Sequence, residues 1–435
     1  MSNFVCDNIG ATQGGHLTFG GLDTVELAKQ YGTPLYLMDE DRIRHNIRVY
    51  TEAIAKYMPA GSGILYASKA ASFKEMYRIA GQEGIGVDVV SPGELMTAAA
   101  AGFDLSNVFF HGNNKTDDDI WLAMDQGIGY FVVDNAEELA VIDREADTRG
   151  IVQKILLRLT PGIDPHTYAA INTGKVDSKF GTAIETGQAE QLTVYALSLK
   201  HVRLSGFHCH VGSQVFAEDV FERSASVMLE FAAGIRAKTG YTAGMIDLGG
   251  GYGVRYVDSD PYLDIAKKIR GVAQSVRATC IRLSMEPPAI LLEPGRSIVA
   301  DAGMTLYTVG TVKHIPGYRN YVSIDGGMSD NPRYALYGAR YTVLPADRLN
   351  EERKMVCTLA GRCCESGDVI QDNILMPEDI GRGDLVAVCT TGAYNYSMAS
   401  NYNRIGRPPV VMLQGGESRI AVRRESLDDL LRLDI

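Results

Sequence analysis

The stretch GILYASKAAS, residues 63–72, is an apolar run that ends at a lysine. Gly63 to Ala67 has the composition of a buried strand, and Lys69 follows it with only small residues after it. Seven more apolar runs come later, separated by helix-length segments: GVDVVS (86–91), NVFFHGN (107–113), YFVVDN (130–135), ILLRLT (155–160), LSGFHCHVG (204–212), MIDLGGG (245–251) and AILLEPG (289–295). Such runs are typical of parallel strands buried on both faces. Eight β/α units predict an α/β fold, a (β/α)8 TIM barrel.

Polar or glycine-rich residues end every one of these predicted strands. They are Lys69, Asp88 with Ser91, His111, Asp134 with Asn135, Arg158, His208 with His210, Gly249 to Gly251, and EPGR at 293–296. In barrels of this kind the catalytic residues lie at the C-terminal ends of the strands. The sequence therefore predicts a functional site at that end.

The residue types at these strand ends indicate one kind of cofactor. A partly desolvated lysine can form a Schiff base with a carbonyl, and its usual partner in amino-acid chemistry is pyridoxal phosphate. GGGYG (249–253) offers backbone N–H groups for the phosphate after the seventh strand, where barrels often bind phosphate. Its spacing is not GxGxxG, which argues against a dinucleotide site.

Each of these features also has a plainer interpretation. Lys69 alone could be a surface lysine, and the three glycines alone could form a tight turn. His208 and His210 lie on one face of their strand, where one could be a core histidine. A zinc site would need a third ligand that the sequence does not identify.

The chain changes character after residue 300. Strand-like runs follow one another with turns and little helix: MTLYTVGTV, NYVSID, YTVLP, KMVCTLAG, DLVAVCTT, PVVMLQG and SRIAVRR. This pattern predicts a second, mostly antiparallel β-barrel domain. We expect residues 36–300 to form the TIM barrel, and residues 1–35 with 301–435 to form the second domain. The segment ESLDDLLRLD (425–434) predicts a short amphipathic helix.

Composition excludes several classes of function. The chain has 435 residues, a formal net charge of −11 and 46% hydrophobic residues, an ordinary balance for a soluble globular protein. The negative charge argues against binding to nucleic acid or to an anionic membrane surface. No apolar run reaches the roughly 20 residues of a membrane span, and the start, MSNFVCDNIGATQGG, lacks the pattern of a secretory signal. Seven scattered cysteines without a CxxC pair predict a reduced, cytoplasmic protein.

A set of motifs in order carries a family resemblance: YASKA, HVGS (210–213), DLGGGYG, EPGRS (293–297), DGGMSDNPRYALYGA (325–339), CESGD (364–368) and GAY (392–394). From about Pro34 to the C-terminus, the chain resembles the diaminopimelate decarboxylases, within the alanine-racemase-like (fold III) pyridoxal-phosphate decarboxylases. The resemblance implies decarboxylation of meso-2,6-diaminopimelate to L-lysine and CO2, the last step of lysine biosynthesis. It also implies a homodimer with shared active sites, pyridoxal 5'-phosphate as cofactor and no metal.

The resemblance implies roles for the cofactor-binding residues. Lys69 would form the Schiff base, His210 would stack on the pyridine ring, and Glu293 would face the pyridine nitrogen and keep it protonated. The other residues expected at the cofactor, mostly at its phosphate, are Ser213, Gly249, Gly250, Gly251, Gly295, Arg296 and Tyr394.

The resemblance also implies roles at the substrate. Arg296, Arg333 and Tyr337 would hold the carboxylate that is kept, as a guanidinium can by a bidentate contact. Tyr394 would be nearby, and Glu365 would bind the distal amino group. Cys364 would reprotonate the α-carbon after CO2 leaves. In this family, the cysteine and glutamate come from the partner subunit.

The sequence departs from the family pattern at three places. Ala71 stands where relatives commonly have Asn, and Tyr168 stands where a second histidine is usual, so His166 is given no role. Cys363 precedes Cys364, and Cys364 is chosen because it directly precedes Glu365.

Two other functions remain open at this point. One is a related decarboxylase acting on ornithine, arginine, carboxynorspermidine or a carrier-bound glutamyl group. The other is a non-catalytic pyridoxal-phosphate-binding protein. Arg333 together with Glu365 favours a substrate that has both a distal carboxylate and a distal amine.

Overall fold

A computed structural model describes residues 4–163, 177–217 and 219–435. Within them the strands are β1 (Ile9–Ala11), β2 (Leu17–Phe19), β3 (Leu22–Asp23), β4 (Leu35–Asp39), β5 (Gly63–Ala67), β6 (Gly86–Val89), β7 (Val108–Phe110), β8 (Tyr130–Val133), β9 (Gln153–Thr160), β10 (Thr182–Ala183), β11 (Val202–His208), β12 (Met245–Asp247), β13 (Ala289–Leu292), β14 (Gly303–Ile315), β15 (Arg319–Ile324), β16 (Val343–Pro345), β17 (Met355–Ala360), β18 (Val369–Met376), β19 (Leu385–Cys389), β20 (Val410–Gln414) and β21 (Glu417–Val422).

The α-helices of the described residues are α1 (Thr24–Tyr31), α2 (Glu40–Tyr57), α3 (Lys74–Gln82), α4 (Pro92–Ala101), α5 (Asp117–Asp125), α6 (Ala136–Arg149), α7 (Gln188–Ser198), α8 (Val220–Thr239), α9 (Ile265–Arg282), α10 (Arg296–Val299), α11 (Arg333–Tyr337) and α12 (Leu427–Leu431). None of them is both long enough and apolar enough to cross a membrane.

The chain divides into two compact units. The barrel unit comprises residues 47–253 and 263–297, and the sheet unit comprises residues 1–46, 254–262 and 298–435. The first division falls after Asn46, whereas the sequence predicted it near residue 36. The reason is that β4 pairs with β14 and β20 of the sheet unit, not with the barrel strands.

The barrel unit contains a closed ring of eight parallel strands. Their order is β5-β6-β7-β8-β9-β11-β12-β13, and the pairing of β13 with β5 closes the ring. Each predicted apolar run forms one of these strands, so the predicted TIM barrel is confirmed. One buried cluster draws on five of the strands: Leu65, Phe109, Val132, Leu156 and Leu291.

The sheet unit is built mainly on a nine-stranded sheet in which most neighbours are antiparallel. The main path is β18-β17-β15-β14-β4-β20-β21, and β19 with β16 branches from β14. The parallel pairs are β15 with β17 and β4 with β20. Its core packs residues of β4, β14, β19 and β20 together, including Leu35, Leu306, Ala387 and Val411. The predicted helix near the C-terminus is confirmed as α12.

Candidate active site

Lys69 lies at the C-terminal end of β5, as predicted. The strand leads into a short helical turn over Ser68–Ala70, in which Ser68 and Ala70 are buried and Lys69 is half-buried. The Ser68 hydroxyl donates to Glu94 Oε2 at 2.9 Å, which ties the turn to the start of α4. Burial raises the pKa of the Asp88 carboxyl, and the nearby charge of Lys69 opposes that rise. Lys69 therefore interacts electrostatically with a buried carboxyl group of the neighbouring strand β6.

Glu293 follows β13 and is buried against two histidines. His208 Nε2 lies 3.1 Å from Glu293 Oε2 and forms a hydrogen bond with it. His111 Nε2 lies 2.7 Å from Glu293 Oε1, but the two atoms are not aligned as donor and acceptor. Glu293 Oε1 is thus a buried acceptor without a hydrogen-bond partner among the described residues.

His210 follows β11 and is held as a neutral ring. Burial lowers the pKa of His210 well below its ordinary value, and the charges of Lys69 and Arg158 lower it further. The Gly250 N–H donates to His210 Nδ1 at 3.3 Å, which leaves the ring proton to Nε2. An uncharged, half-buried imidazole is suited to stacking on another aromatic ring.

The glycines after β12 are required by close packing of the strand ends. A Cβ on Gly250 would lie 2.0 Å from the Glu293 carbonyl oxygen, and one on Gly251 would lie 2.1 Å from the Gly212 carbonyl oxygen. A side chain at either position would displace the backbone that carries Glu293 or the HVGS segment. The absence of a Cβ therefore explains both interpretations of these glycines, as a tight turn and as a ligand-binding loop.

Ser213 and Arg296 meet within the barrel unit. Arg296 donates to Ser213 Oγ from Nε at 3.2 Å and from Nη2 at 2.8 Å, and its side chain is buried. A guanidinium beside a hydroxyl is a donor group suited to phosphate. The structure thus brings these two residues together, with Gly295 immediately before Arg296.

Some polar strand ends serve the fold instead. The Ser91 and Asn135 side chains cap α4 and α6 by accepting hydrogen bonds from the backbone N–H groups of Glu94 and Glu138. Asp134 accepts from the Gly181 N–H at 2.9 Å. These residues ended predicted strands, but their local role is structural.

Arg333 begins α11 of the sheet unit and is buried among aromatic rings. Its guanidinium carbon lies 4.9 Å from the centre of the Tyr256 ring and 5.5 Å from that of Tyr341. Nη1 donates to the Tyr341 hydroxyl at 2.7 Å. Among the described residues, the recorded partners of this guanidinium are the two tyrosines, and no carboxylate is recorded within 4.0 Å of it.

Cys364 and Glu365 lie in an exposed turn of the sheet unit, whereas Cys363 is buried. Asp368 anchors the turn, because its Oδ2 accepts from the Cys363 N–H at 2.7 Å and its Oδ1 accepts from the Met328 N–H at 2.6 Å. Hydrogen bonds from the Gly367 N–H and the Ser366 hydroxyl lower the pKa of the Glu365 carboxyl.

Two further predicted residues belong to the sheet unit, and one residue cannot be placed. Tyr337 ends α11 and is exposed, and Tyr394 is half-buried with a left-handed backbone, φ +62°. Left-handed geometry is uncommon for a residue with a side chain and is often found at functional sites. His166 lies outside the described residues.

The barrel-unit residues fit pyridoxal phosphate. Glu293 Oε1 is a buried acceptor suited to a protonated ring nitrogen, His210 offers a neutral ring, and Arg296 with Ser213 offers donors for a phosphate. His111, His208 and Glu293 could also hold a metal ion, since one ligand atom of each lies within 4.8 Å of the others. His208 already forms a hydrogen bond with Glu293, and His111 Nε2 lies 2.7 Å from the other carboxylate oxygen.

Sequence reasoning missed the contacts of four site residues. It placed His111 and His208 at strand ends without their shared partner Glu293, and it did not identify Tyr256 or Tyr341 beside Arg333. The signal available for the histidines was only their position at strand ends. Nothing in the sequence pattern indicated the tyrosines.

Comparison with known proteins gives consistent results. Residues 41–300 match the family described as pyridoxal-dependent decarboxylase, pyridoxal binding domain. Diaminopimelate decarboxylase of Bacillus subtilis is 43% identical over 97% of this chain and 96% of that protein, and the Staphylococcus aureus enzyme is 42% identical over 96% and 97%. The crystal structure of diaminopimelate decarboxylase from M. jannaschii in complex with L-lysine has a TM-score of 0.90 at 32% identity, covering 99% of this chain and 98% of that one.

Proposed function

Because the chain belongs to the diaminopimelate decarboxylase family of pyridoxal-phosphate-dependent carboxy-lyases, we propose that it decarboxylates meso-2,6-diaminopimelate to L-lysine and CO2. The observation that carries the choice of substrate is Arg333, a buried cation that has only tyrosines as recorded partners among the described residues. A substrate with a second carboxylate supplies the missing anion. A simple diamine precursor such as ornithine does not.

The barrel-unit residues would hold the cofactor. Lys69 would bind it covalently, His210 would stack on its ring, Glu293 would accept from its ring nitrogen, and Ser213 with Arg296 would bind its phosphate. When bound, pyridoxal phosphate withdraws electrons from the α-carbon of the amino acid. The strong burial of Glu293 favours this role, because a carboxylate stabilises a protonated ring nitrogen best where water is excluded.

The sheet-unit residues would bind and protonate the substrate. Arg333, with Tyr337, would hold the carboxylate that is kept, and Glu365 would pair with the distal ammonium group. The bond between the α-carbon and the other carboxylate breaks, and CO2 leaves. The Cys364 thiol then delivers the proton that takes its place, and solvent restores the thiol proton.

Removal of the Arg333 charge should act on the substrate and not on the cofactor. We expect Arg333→Ala to lower kcat/KM for meso-diaminopimelate about 10- to 100-fold, as for loss of one charged hydrogen-bonding partner. The cofactor absorption spectrum should stay unchanged. Steady-state kinetics of Arg333→Ala against Arg340→Ala, an exposed arginine of the same segment, measure this effect.

A normal kcat/KM for folded Arg333→Ala would contradict the role of this arginine. Loss of the cofactor spectrum in that variant would show instead that Arg333 supports cofactor binding.

We also propose that the enzyme works as a cytoplasmic homodimer in which Cys364 and Glu365 of one copy complete the site of the other. In the single chain both residues are exposed, and so are the apolar side chains of Leu336 and Tyr337, which are 55% and 42% exposed. A second copy that covers this surface would bury these groups, as is common at isologous interfaces.

Mixing two inactive variants tests the shared site. Lys69→Ala and Cys364→Ala should restore roughly a quarter of wild-type activity at equal mixing, since half of the dimers are hybrids and each has one intact site. Activity and subunit exchange are both measured. The control pair is Lys69→Ala with Glu293→Gln, whose changes lie in the same unit of one chain and should restore nothing. Exchange without recovered activity in the first pair would contradict the shared site.

A further inference from the structure

The Glu293 carboxylate is enclosed by two imidazoles from different strands of the barrel. His208 Nε2 lies 3.1 Å from Oε2, and His111 Nε2 lies 2.7 Å from Oε1. The two histidine rings meet edge to face, with centroids 4.8 Å apart and an interplanar angle of 72°. All three side chains are at most 5% exposed. His208 therefore forms a hydrogen bond with one carboxylate oxygen, His111 Nε2 lies beside the other, and the two rings contact each other edge to face.

Glu293 shares this end of the barrel with other buried carboxylates. Among the described residues, the titratable or charged side chains recorded as interacting with it electrostatically are those of Asp88, His111, Arg158, His208, Cys209, His210 and Asp247. Three acids so close together cannot all stay ionised without compensation. The side chains around each carboxyl group determine which of the three is ionised.

The two histidines distinguish Glu293 from the other two acids. Burial raises the pKa values of Asp88 and Asp247, and the charge of Glu293 raises them further. Burial would also raise the pKa of Glu293, but His111 and His208 lower it well below its ordinary value. Burial lowers the pKa of His208 to about 4, so near neutral pH this ring is an uncharged N–H donor.

We infer that His111 and His208 are positioning residues that keep the Glu293 carboxylate ionised and fix the orientation of its two oxygens. The inference rests on the proposed role of Glu293 at the cofactor's ring nitrogen. Without the two imidazoles, Glu293 would be a third buried acid beside Asp88 and Asp247, and the proton would move from the ring nitrogen to a carboxyl group. The histidines thus act through Glu293 on the electron-withdrawing power of the cofactor.

The test observes the ring nitrogen directly. The holoenzyme is loaded with pyridoxal phosphate carrying 15N in the ring, and the 15N resonance is recorded between pH 6 and 8. Wild type should show a protonated nitrogen throughout. The double variant His111→Leu/His208→Leu should shift toward the unprotonated position and lose about 10- to 100-fold in kcat, as is usual for groups that support a site residue.

Matched variants separate positioning from packing. His208→Gln places an amide N–H near the position of Nε2 and should keep most of the wild-type signal, whereas His208→Asn places it near Nδ1 and should not. The comparison of His208→Gln with His208→Asn tests the positioning role of His208 even if the leucine variants fail to fold. His201→Leu changes a barrel-unit histidine that pairs with Asp147 at 3.2 Å, and it should leave the signal unchanged.

The variant Glu293→Gln distinguishes failure of the inference about the histidines from failure of the proposed role of Glu293. If Glu293→Gln shifts the resonance while the folded leucine double variant, or His208→Asn, keeps the wild-type signal, the inference about the histidines is overturned. If Glu293→Gln itself keeps a protonated nitrogen, the proposed role of Glu293 fails, whatever the histidine variants show.

Discussion

Lys69→Ala should abolish the covalent attachment of the cofactor. Lys69 is half-buried in the short helical turn after β5, and its charge acts on the buried Asp88 carboxyl of the neighbouring strand. Loss of the amine that we propose to bind the cofactor covalently should lower kcat by about 10³-fold or more. Borohydride treatment followed by mass spectrometry of the peptides measures the attachment site.

The control for this prediction is Lys74→Ala, an exposed lysine of the same unit at the start of α3. It should retain the borohydride-reducible linkage and wild-type turnover. Fixation of the cofactor to a lysine other than Lys69 in the wild-type protein would show that the assignment is wrong.

Glu293→Gln should keep the cofactor and lose most of the rate. An amide is close in size to a carboxylate, and Lys69, Ser213 and Arg296 remain to bind the cofactor. The amide carries no negative charge, so it cannot stabilise a protonated ring nitrogen as the carboxylate does. We expect kcat to fall by on the order of 10²-fold or more, as for loss of a major electrostatic contribution.

Cofactor content and single-turnover rate, measured on the same Glu293→Gln preparation, separate binding from chemistry. A variant that holds the cofactor and turns over normally would rule out the role of Glu293. Loss of the cofactor itself would instead point to a structural role for this residue.

The barrel could be predicted from sequence because its strands are buried on both faces and read as continuous apolar runs. Strand β18 (Val369–Met376) was missed, because its centre is Gln371, Asp372 and Asn373 and its backbone is left-handed at Asn373, φ +54°. Strand β4 has the same apolar character as a barrel strand, and only its partners, β14 and β20, show that it belongs to the sheet unit. Local composition does not determine which distant segments pair as strands.

The candidate site was predictable in its residue types and less so in its contacts. Lys69 and Glu293 lie at strand ends, and a strand end is visible in the hydrophobic pattern. The contact of His111 with Glu293 joins β7 to the end of β13, and the contact of Arg333 with Tyr256 joins α11 to a distant loop. Contacts of this kind depend on three-dimensional packing. A local pattern shows which residues are available, not which ones meet.

Product analysis in D2O with meso-diaminopimelate as substrate tests the proposed function most directly. We expect one CO2 and one L-lysine per turnover, with one deuterium on the carbon that lost the carboxylate, if the D-configured centre reacts and Cys364 supplies a solvent-derived proton. L-lysine and L-ornithine offered as substrates should remain intact, since neither has a D-configured centre or the second carboxylate that we propose Arg333 to bind. Faster release of CO2 from L-ornithine than from meso-diaminopimelate would contradict the account.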